Sequence, residues 1–168
     1  GLVRSWSSTN TTVEISVDAT VRLSGTAGND NLDGSTNADL ILGLGGNDTL
    51  DGKAGDDTFI GSTGDDTIIG GDGVDTVDYS SLGVAINVDL SDGSVTVTGG
   101  GTDDLSEIES IVATVKPDTL QGSTSDDVIY AGSGNDALSG QAGDDRLYAE
   151  AGDDNILGGA GSDILYGG

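Results

Sequence analysis

The sequence predicts an all-β chain built as a stack of short repeats, a β-solenoid. Three observations predict it: an acid recurs every nine residues, an apolar residue follows each acid at a fixed distance, and glycines hold set positions between them. The acids are Asp30, Asp39, Asp48, Asp57, Asp66 and Asp75, then Asp118, Asp127, Asp136, Asp145, Asp154 and Asp163. Two residues later stand Leu32, Ile41, Leu50, Phe59, Ile68 and Val77, then Leu120, Ile129, Leu138, Leu147, Ile156 and Leu165. With 26 Asp among 168 residues, chance fills a given position about one time in six, so twelve units in phase mark a true internal repeat.

Each unit opens with a small residue, carries glycine at position four, Asp at six and an apolar residue at eight. The first block opens with Gly25, Gly34, Gly43, Gly52, Gly61 and Gly70, and has Gly28, Gly46, Gly55, Gly64 and Gly73 at position four, with Asn37 as the exception. The second block is looser. It opens alternately with Ala and Gly from Ala113 to Gly158, and keeps Gly134, Gly143, Gly152 and Gly161 but has Lys116 and Ser125 in its first two units.

Glycines three apart let the backbone curl so that carbonyls point inward, and Asn or Asp at position five tolerates the left-handed region. Six residues therefore make a turn. The remaining three form a very short strand that places one apolar side chain inward between two outward ones. A single unit cannot bury that side chain. Stacked about 4.8 Å apart, successive units bury a ladder such as Leu32 over Leu50 over Ile68.

A column of carboxylates at that spacing repels itself, which raises pKa values or calls for a cation. A hard ion with six to eight oxygen ligands suits Asp oxygens plus inward carbonyls, and describes Ca²⁺ better than the stricter octahedron of Mg²⁺. The chain has no Cys and no His, which excludes the usual zinc, copper and iron sites.

These units resemble the nonapeptide G-G-x-G-x-D-x-U-x of RTX (haemolysin-type) calcium-binding proteins, complete at Gly70–Asp78 and Gly158–Tyr166 and extending over Gly25–Asp78 and Ala113–Tyr166. The resemblance implies a parallel β-roll in which two units make one coil and Ca²⁺ lies between turns i and i+2 on the same edge. The implied pairs are Asp30 with Asp48, Asp39 with Asp57, Asp48 with Asp66, Asp57 with Asp75, Asp118 with Asp136, Asp127 with Asp145, Asp136 with Asp154, and Asp145 with Asp163. That makes about eight internal Ca²⁺ sites, completed by backbone carbonyls near Gly28, Gly46, Gly55, Gly64, Gly73, Gly134, Gly143, Gly152 and Gly161. Position-five acids such as Asp56, Asp65, Asp126, Asp144 and Asp153 are expected to face solvent.

The net charge is −25, and eight Ca²⁺ would leave −9, an ordinary solubilising charge. At a site affinity of ~0.1 mM and ~1 mM free calcium each site contributes about 1.4 kcal/mol, so eight contribute about 11, comparable with a domain's whole stability. Folding is therefore expected to depend on calcium, the more so because one Phe, one Trp and no Met leave little apolar area to offset ordering entropy.

The blocks span residues 25–78 and 113–168. Between them, residues 79–112 break phase and read as a β-rich insertion that continues the stack. Val84, Ile86, Val88 and Leu90 alternate, Asp92-Gly93 reads as a turn, Val95 and Val97 alternate again, and Leu105, Ile108 and Ile111 follow a loop at Gly99-Gly100-Gly101. A calcium or sugar contact through Asp103, Asp104, Glu107 and Glu109 is the functional alternative there. In residues 1–24 the alternation from Val13 to Leu23 reads as a capping strand. No signal peptide and no membrane-length apolar run is seen, and the chain reads as a portion of a larger protein.

Catalysis is not expected. The absence of His removes the common acyl-transfer triads, no phosphate-binding lysine loop occurs, and the acidic charge disfavours nucleic acid. Paired glutamates, Glu107 with Glu109 or Glu14 with Glu150, read as surface residues rather than a glycosidase pair. The resemblance implies a calcium-responsive module, secreted by bacteria through a type I system, folding in extracellular calcium and stabilising other domains of its parent chain. An adhesive or glycan-binding module, on the cell surface or beside a polysaccharide-modifying enzyme, is the alternative. Thr49, Thr58, Thr67 and Thr76 form the only run of Thr at position seven.

Overall fold

The computed structural model describes residues 2–5, 12–13 and 20–168. Every regular element among them is a strand, and no helix there is long and apolar enough to cross a membrane. The chain winds as a β-roll with two facing sheets. Sheet A carries β1 (Leu2–Ser5), β3 (Val21–Ser24), β5 (Leu40–Leu42), β7 (Thr58–Ile60), β9 (Thr76–Asp78), β13 (Ser110–Val112), β15 (Val128–Tyr130), β17 (Arg146–Tyr148) and β19 (Ile164–Tyr166), in that spatial order. Sheet B begins with β2 (Thr12–Val13), β4 (Asn31–Asp33), β6 (Thr49–Ala54), β8 (Thr67–Asp72) and β12 (Gly101–Ser106). It continues through β11 (Ser94–Val97), β10 (Ile86–Asp89), β14 (Thr119–Gln121), β16 (Ala137–Ala142) and β18 (Asn155–Ala160).

The three-residue strands follow from the repeat. Their middle side chain points inward and its neighbours outward, and the paired strands lie parallel in strict register, for example Leu32↔Leu50↔Ile68 and Ile41↔Phe59↔Val77. Eighteen residues make one coil. Position eight is 3% exposed or less from Leu32 to Leu147, whereas Leu165, in the last described coil, is 46% exposed. Some sheet B strands run to six residues, since positions two and three also pair with the next coil, as Lys53↔Gly71 and Gln141↔Gly159 do.

Stacking also accounts for the irregular glycines. At position four, a Cβ on Gly46 would lie 2.6 Å from the carbonyl carbon of Gly28 one coil earlier, and one on Gly55 would lie 2.5 Å from that of Asn37. Only the first turn of a block on each edge has no nonapeptide turn behind it to make this contact. Those four turns carry Gly28, Asn37, Lys116 and Ser125, so every departure from glycine falls where no nonapeptide lies behind.

Residues 79–112 join the stack through both sheets. In sheet B the chain passes to β10, beside β14 of the later block, reverses through β11 and returns as β12 alongside β8, with both inner pairings antiparallel. Sheet A receives only β13, which pairs in parallel with β9 and β15. Val88, Val95, Val97 and Ile111 fill the core. Gly101 begins β12 rather than closing the loop. Of the capping strand expected from Val13 to Leu23, the two described ends pair in different sheets, β2 with β4 in sheet B and β3 with β5 in sheet A. Residues 14–19 lie outside the described residues.

Candidate metal centres

Every nonapeptide turn leads into a strand, and its Asp is the last residue before it. The stack therefore lines up two columns of carboxylates, one at each edge. Entering sheet A are Asp39, Asp57, Asp75, Asp127, Asp145 and Asp163; entering sheet B are Asp30, Asp48, Asp66, Asp118, Asp136 and Asp154. All are buried except Asp154 and Asp163 at the last coil, which are partly exposed.

One hydrogen bond recurs from coil to coil. The N–H of each Asp donates to Oδ1 of the Asp 18 residues later: Asp30 to Asp48 at 2.9 Å, Asp39 to Asp57 at 2.7 Å, Asp48 to Asp66 at 2.9 Å and Asp57 to Asp75 at 2.8 Å. The second block repeats it, Asp118 to Asp136, Asp127 to Asp145, Asp136 to Asp154 and Asp145 to Asp163, at 2.8–3.1 Å. The structure thus brings together each of the eight pairs, one coil apart on a common edge.

Two residues of the insertion extend these columns. Asp66 N–H donates to Asp103 Oδ1 at 3.1 Å, and Asp75 N–H to Glu109 Oε2 at 3.0 Å. Their signal was in the sequence, since Leu105 follows Asp103 and Ile111 follows Glu109 at the same two-residue distance. Asp104 and Glu107, by contrast, are exposed. The turn ahead of β13 has only Glu107, Ile108 and Glu109 in place of six residues, and the longer glutamate spans what the shortened turn does not. Asp103 is fully buried and its Oδ2 accepts the hydroxyl of the equally buried Tyr79 at 2.7 Å. Tyr79 escaped the sequence reading because it follows the last unit of a block, where no phase marks it.

The other carboxylate oxygen is the chemically available one. Asp48, Asp57, Asp75, Asp136, Asp145 and Asp154 each hold a buried Oδ2 with no hydrogen-bond partner, and Asp30 has a buried Oδ1 in the same condition. A buried anion oxygen without a partner is costly. Burial is the main reason the Asp57 carboxyl is pushed up to about 7 and that of Asp48 to about 6; the N–H bond from the coil behind opposes this, and neighbouring carboxylates add to it. Burial likewise raises Asp66, Asp75, Asp127, Asp136 and Asp145.

Among the described residues no three carboxylates converge. The acids come in pairs, so a hard cation here needs backbone oxygens as well. Such oxygens are at hand, since the carbonyls of Gly46, Gly55, Gly134 and Gly143 lie against the position-four glycine of the following coil. The residues present fit an oxygen-seeking divalent ion.

Position five behaves differently. Asn47, Asp56, Asp65, Asp126 and Asp144 are exposed, and their side-chain oxygens accept the N–H of the position-five residue one coil later, or of Thr102 in the insertion. Outside the turns, Thr49 and Thr67 lie on sheet B and Thr58 and Thr76 on sheet A, so the Thr run divides between opposite faces.

Comparison with known families matches the RTX calcium-binding nonapeptide repeat in four copies, over residues 24–59, 51–81, 113–147 and 139–168. The chain belongs to this family. RTX repeats bind Ca²⁺, and the buried, paired carboxylates are where this chain carries the family's acids. No curated protein matches the sequence. Among solved structures, the crystal structure of the extracellular lipase LipA from Serratia marcescens is similar at 23% identity and a TM-score of 0.44, over 85% of this chain and 31% of that one. The chain therefore spans about a third of that protein's length.

Proposed function

We propose that this RTX chain is a calcium-responsive folding module, ordered by extracellular Ca²⁺, that stabilises and assists the secretion of a larger bacterial protein exported by a type I system. One observation carries the reading: the buried carboxylate oxygens with no partner. A folded chain without cations holds these oxygens, and the charge of −25, against its own stability. Bound calcium reverses both terms, so folding and binding are coupled. The twelve repeat acids are the proposed side-chain ligands, in pairs, with turn carbonyls completing each shell. RTX proteins are typically secreted, and this supports an extracellular setting in which millimolar calcium is the signal. The catalytic work of the parent protein then lies in other domains.

Far-UV circular dichroism of a chelator-stripped sample, titrated with calcium and in parallel with magnesium, tests this. A cooperative gain of β signal with calcium alone is expected. A spectrum folded from the outset and indifferent to calcium would overturn the proposal.

A second reading rests on the tyrosines. Tyr130, Tyr148 and Tyr166 stack outside sheet A with ring centroids 4.6 Å apart and planes within 8°. Both faces of the Tyr148 ring are covered by its neighbours, so the half-exposed Tyr166 is the one that offers a face to a sugar ring, which favours an adhesive or glycan-binding role. A glycan array probed with the calcium-loaded chain and with Tyr166→Ala separates the two readings: sugar binding lost in the variant supports adhesion, and silence leaves the folding role.

A further inference from the structure

The twelve turns fall into two classes by their second residue. In seven of them, position two is Leu44, Lys53, Gly71, Gly132, Gln141, Glu150 or Gly159, and all seven lie in the left-handed region with φ between 66° and 116°. In the other five it is Thr26, Ser35, Ser62, Thr114 or Ser123, and none of these has positive φ.

The classes differ at the carboxylate. The hydroxyls of Thr26, Ser62, Thr114 and Ser123 donate to Oδ2 of the Asp in their own turn at 2.8–3.1 Å, and the N–H of Ser35 donates to Asp39 Oδ2 at 2.6 Å. Each oxygen left unpartnered at Oδ2, in Asp48, Asp57, Asp75, Asp136, Asp145 and Asp154, belongs to a left-handed turn. The seventh turn of that class, ending at Asp163, has its Oδ2 beside Gly158 with no donor.

We infer that a Ser or Thr at position two closes a turn to cations, its donors taking the place of the ion at Oδ2. This rests on the calcium reading above and fixes which turns load. In the seven left-handed turns each carboxylate is tied through Oδ1 to the coil behind, so an ion at Oδ2 draws its remaining oxygens from its own turn and from that coil. Four of the five closed turns open a block on their edge, where the coil behind carries no nonapeptide turn to share an ion. There a donor at position two takes up Oδ2 of the first acid, the hydroxyl of Thr26, Thr114 and Ser123 and the N–H of Ser35. Tyr79 does the same for Asp103, at the place where the sheet B column ends.

Ser62 is the exception that gives the inference its content. A complete nonapeptide turn, Gly43–Asp48, lies behind it, yet its hydroxyl donates to Asp66 Oδ2 at 3.0 Å. The pair Asp48 with Asp66 is therefore closed, and seven of the eight pairs take calcium.

Equilibrium dialysis of the full chain against calcium, with the bound metal counted by atomic emission, tests this. The expected count is seven, rising to eight in Ser62→Gly and staying at seven in Ser62→Thr. Ser123→Gly also stays at seven, because no nonapeptide turn lies behind it. A wild-type count of eight, or equal counts in Ser62→Gly and Ser62→Thr, would overturn the hydroxyl rule while leaving the calcium reading intact. A count of zero would overturn the calcium reading itself.

Discussion

The two edges of the roll treat residues 79–112 differently. At the edge entering sheet A, acids run from Asp39 through Asp57 and Asp75 to Glu109, then resume at Asp127 one strand further on, because this sheet adds only β13. At the edge entering sheet B the column stops at Asp103, sealed by Tyr79, and restarts at Asp118 beyond the β10–β11 hairpin, where the N–H of Ile86 donates to Asp118 Oδ1 at 2.8 Å. An insertion can thus interrupt one carboxylate column while the other passes almost unbroken. Sheet A keeps the parallel register that carries the repeat; sheet B gives it up for two antiparallel pairings.

If sheet A is the spine that joins the blocks, its one linking residue should matter most. Ile111 is fully buried between Val77 and Ile129. Ile111→Ala should cost about 2–5 kcal/mol, and more than Leu105→Ala on the interrupted side, where the hairpin can shift to fill the space. Urea unfolding in saturating calcium measures both. Equal losses would show that the two sheets join the blocks equally.

The seal on the interrupted edge is the next largest effect. Tyr79→Phe deletes a hydroxyl whose partner, Asp103, is fully buried, and should cost about 1–3 kcal/mol. Adding Asp103→Asn should recover part of that loss, because the amide needs no counter-donor for a charge. Additive losses in the double-mutant cycle would break the link between this pair and the end of the column.

Acidity acts on both edges with one sign. Burial raises Asp57, on the sheet A edge, to about 7, and Asp48 and Asp103, on the sheet B edge, to about 6, against an ordinary value of 3.8. A carboxyl raised in the folded state favours folding when protonated. That contribution is full below the unfolded value and lost as pH rises through the folded one. In chelator, the thermal midpoint should therefore rise as pH falls from about 7 toward 4. In calcium the same change should lower it, since ligands must be deprotonated to bind. Midpoints moving the same way in both buffers would contradict this.

The period, the short strands and the apolar ladders were legible in the sequence, because a repeat that cannot bury its own face alone must stack, whereas the pairing of acids 18 residues apart came from the resemblance to the RTX nonapeptide. The break at residues 79–112 was legible as strands, though their order was not, since alternation in Val84–Leu90 and Val95–Val97 says nothing about which sheet receives them. Asp103 and Glu109 stood among the possible contacts, yet their places in the columns depended on the turn lengths between them. Tyr79 was invisible: nothing near it in the sequence shows that its hydroxyl meets an acid 24 residues away. The described ends of the Val13–Leu23 alternation pair in different sheets, which alternation alone does not assign.

The smallest effect lies at position five, and it tests whether the edges differ in their outer hydrogen bonds as they do in their buried acids. On the sheet B edge, the side-chain oxygen of Asn29 accepts Asn47 N–H, that of Asn47 accepts Asp65 N–H, and that of Asp65 accepts the N–H of Thr102 in the insertion. On the sheet A edge, Asp56 accepts Val74 N–H, and Val74 has no side-chain acceptor to carry the ladder on. These groups are exposed, so water replaces each bond at little cost. Asn47→Ala should cost at most about 0.5–1 kcal/mol, and Asp56→Ala less, because Asp56 also adds to the repulsion that raises Asp57 and Asp75. Removing that acid relieves a charge where Asn47→Ala relieves none. If Asp56→Ala proves the costlier of the two in chelator, the outer acids stabilise the stack more than they repel it, and the difference between the edges is confined to the buried columns.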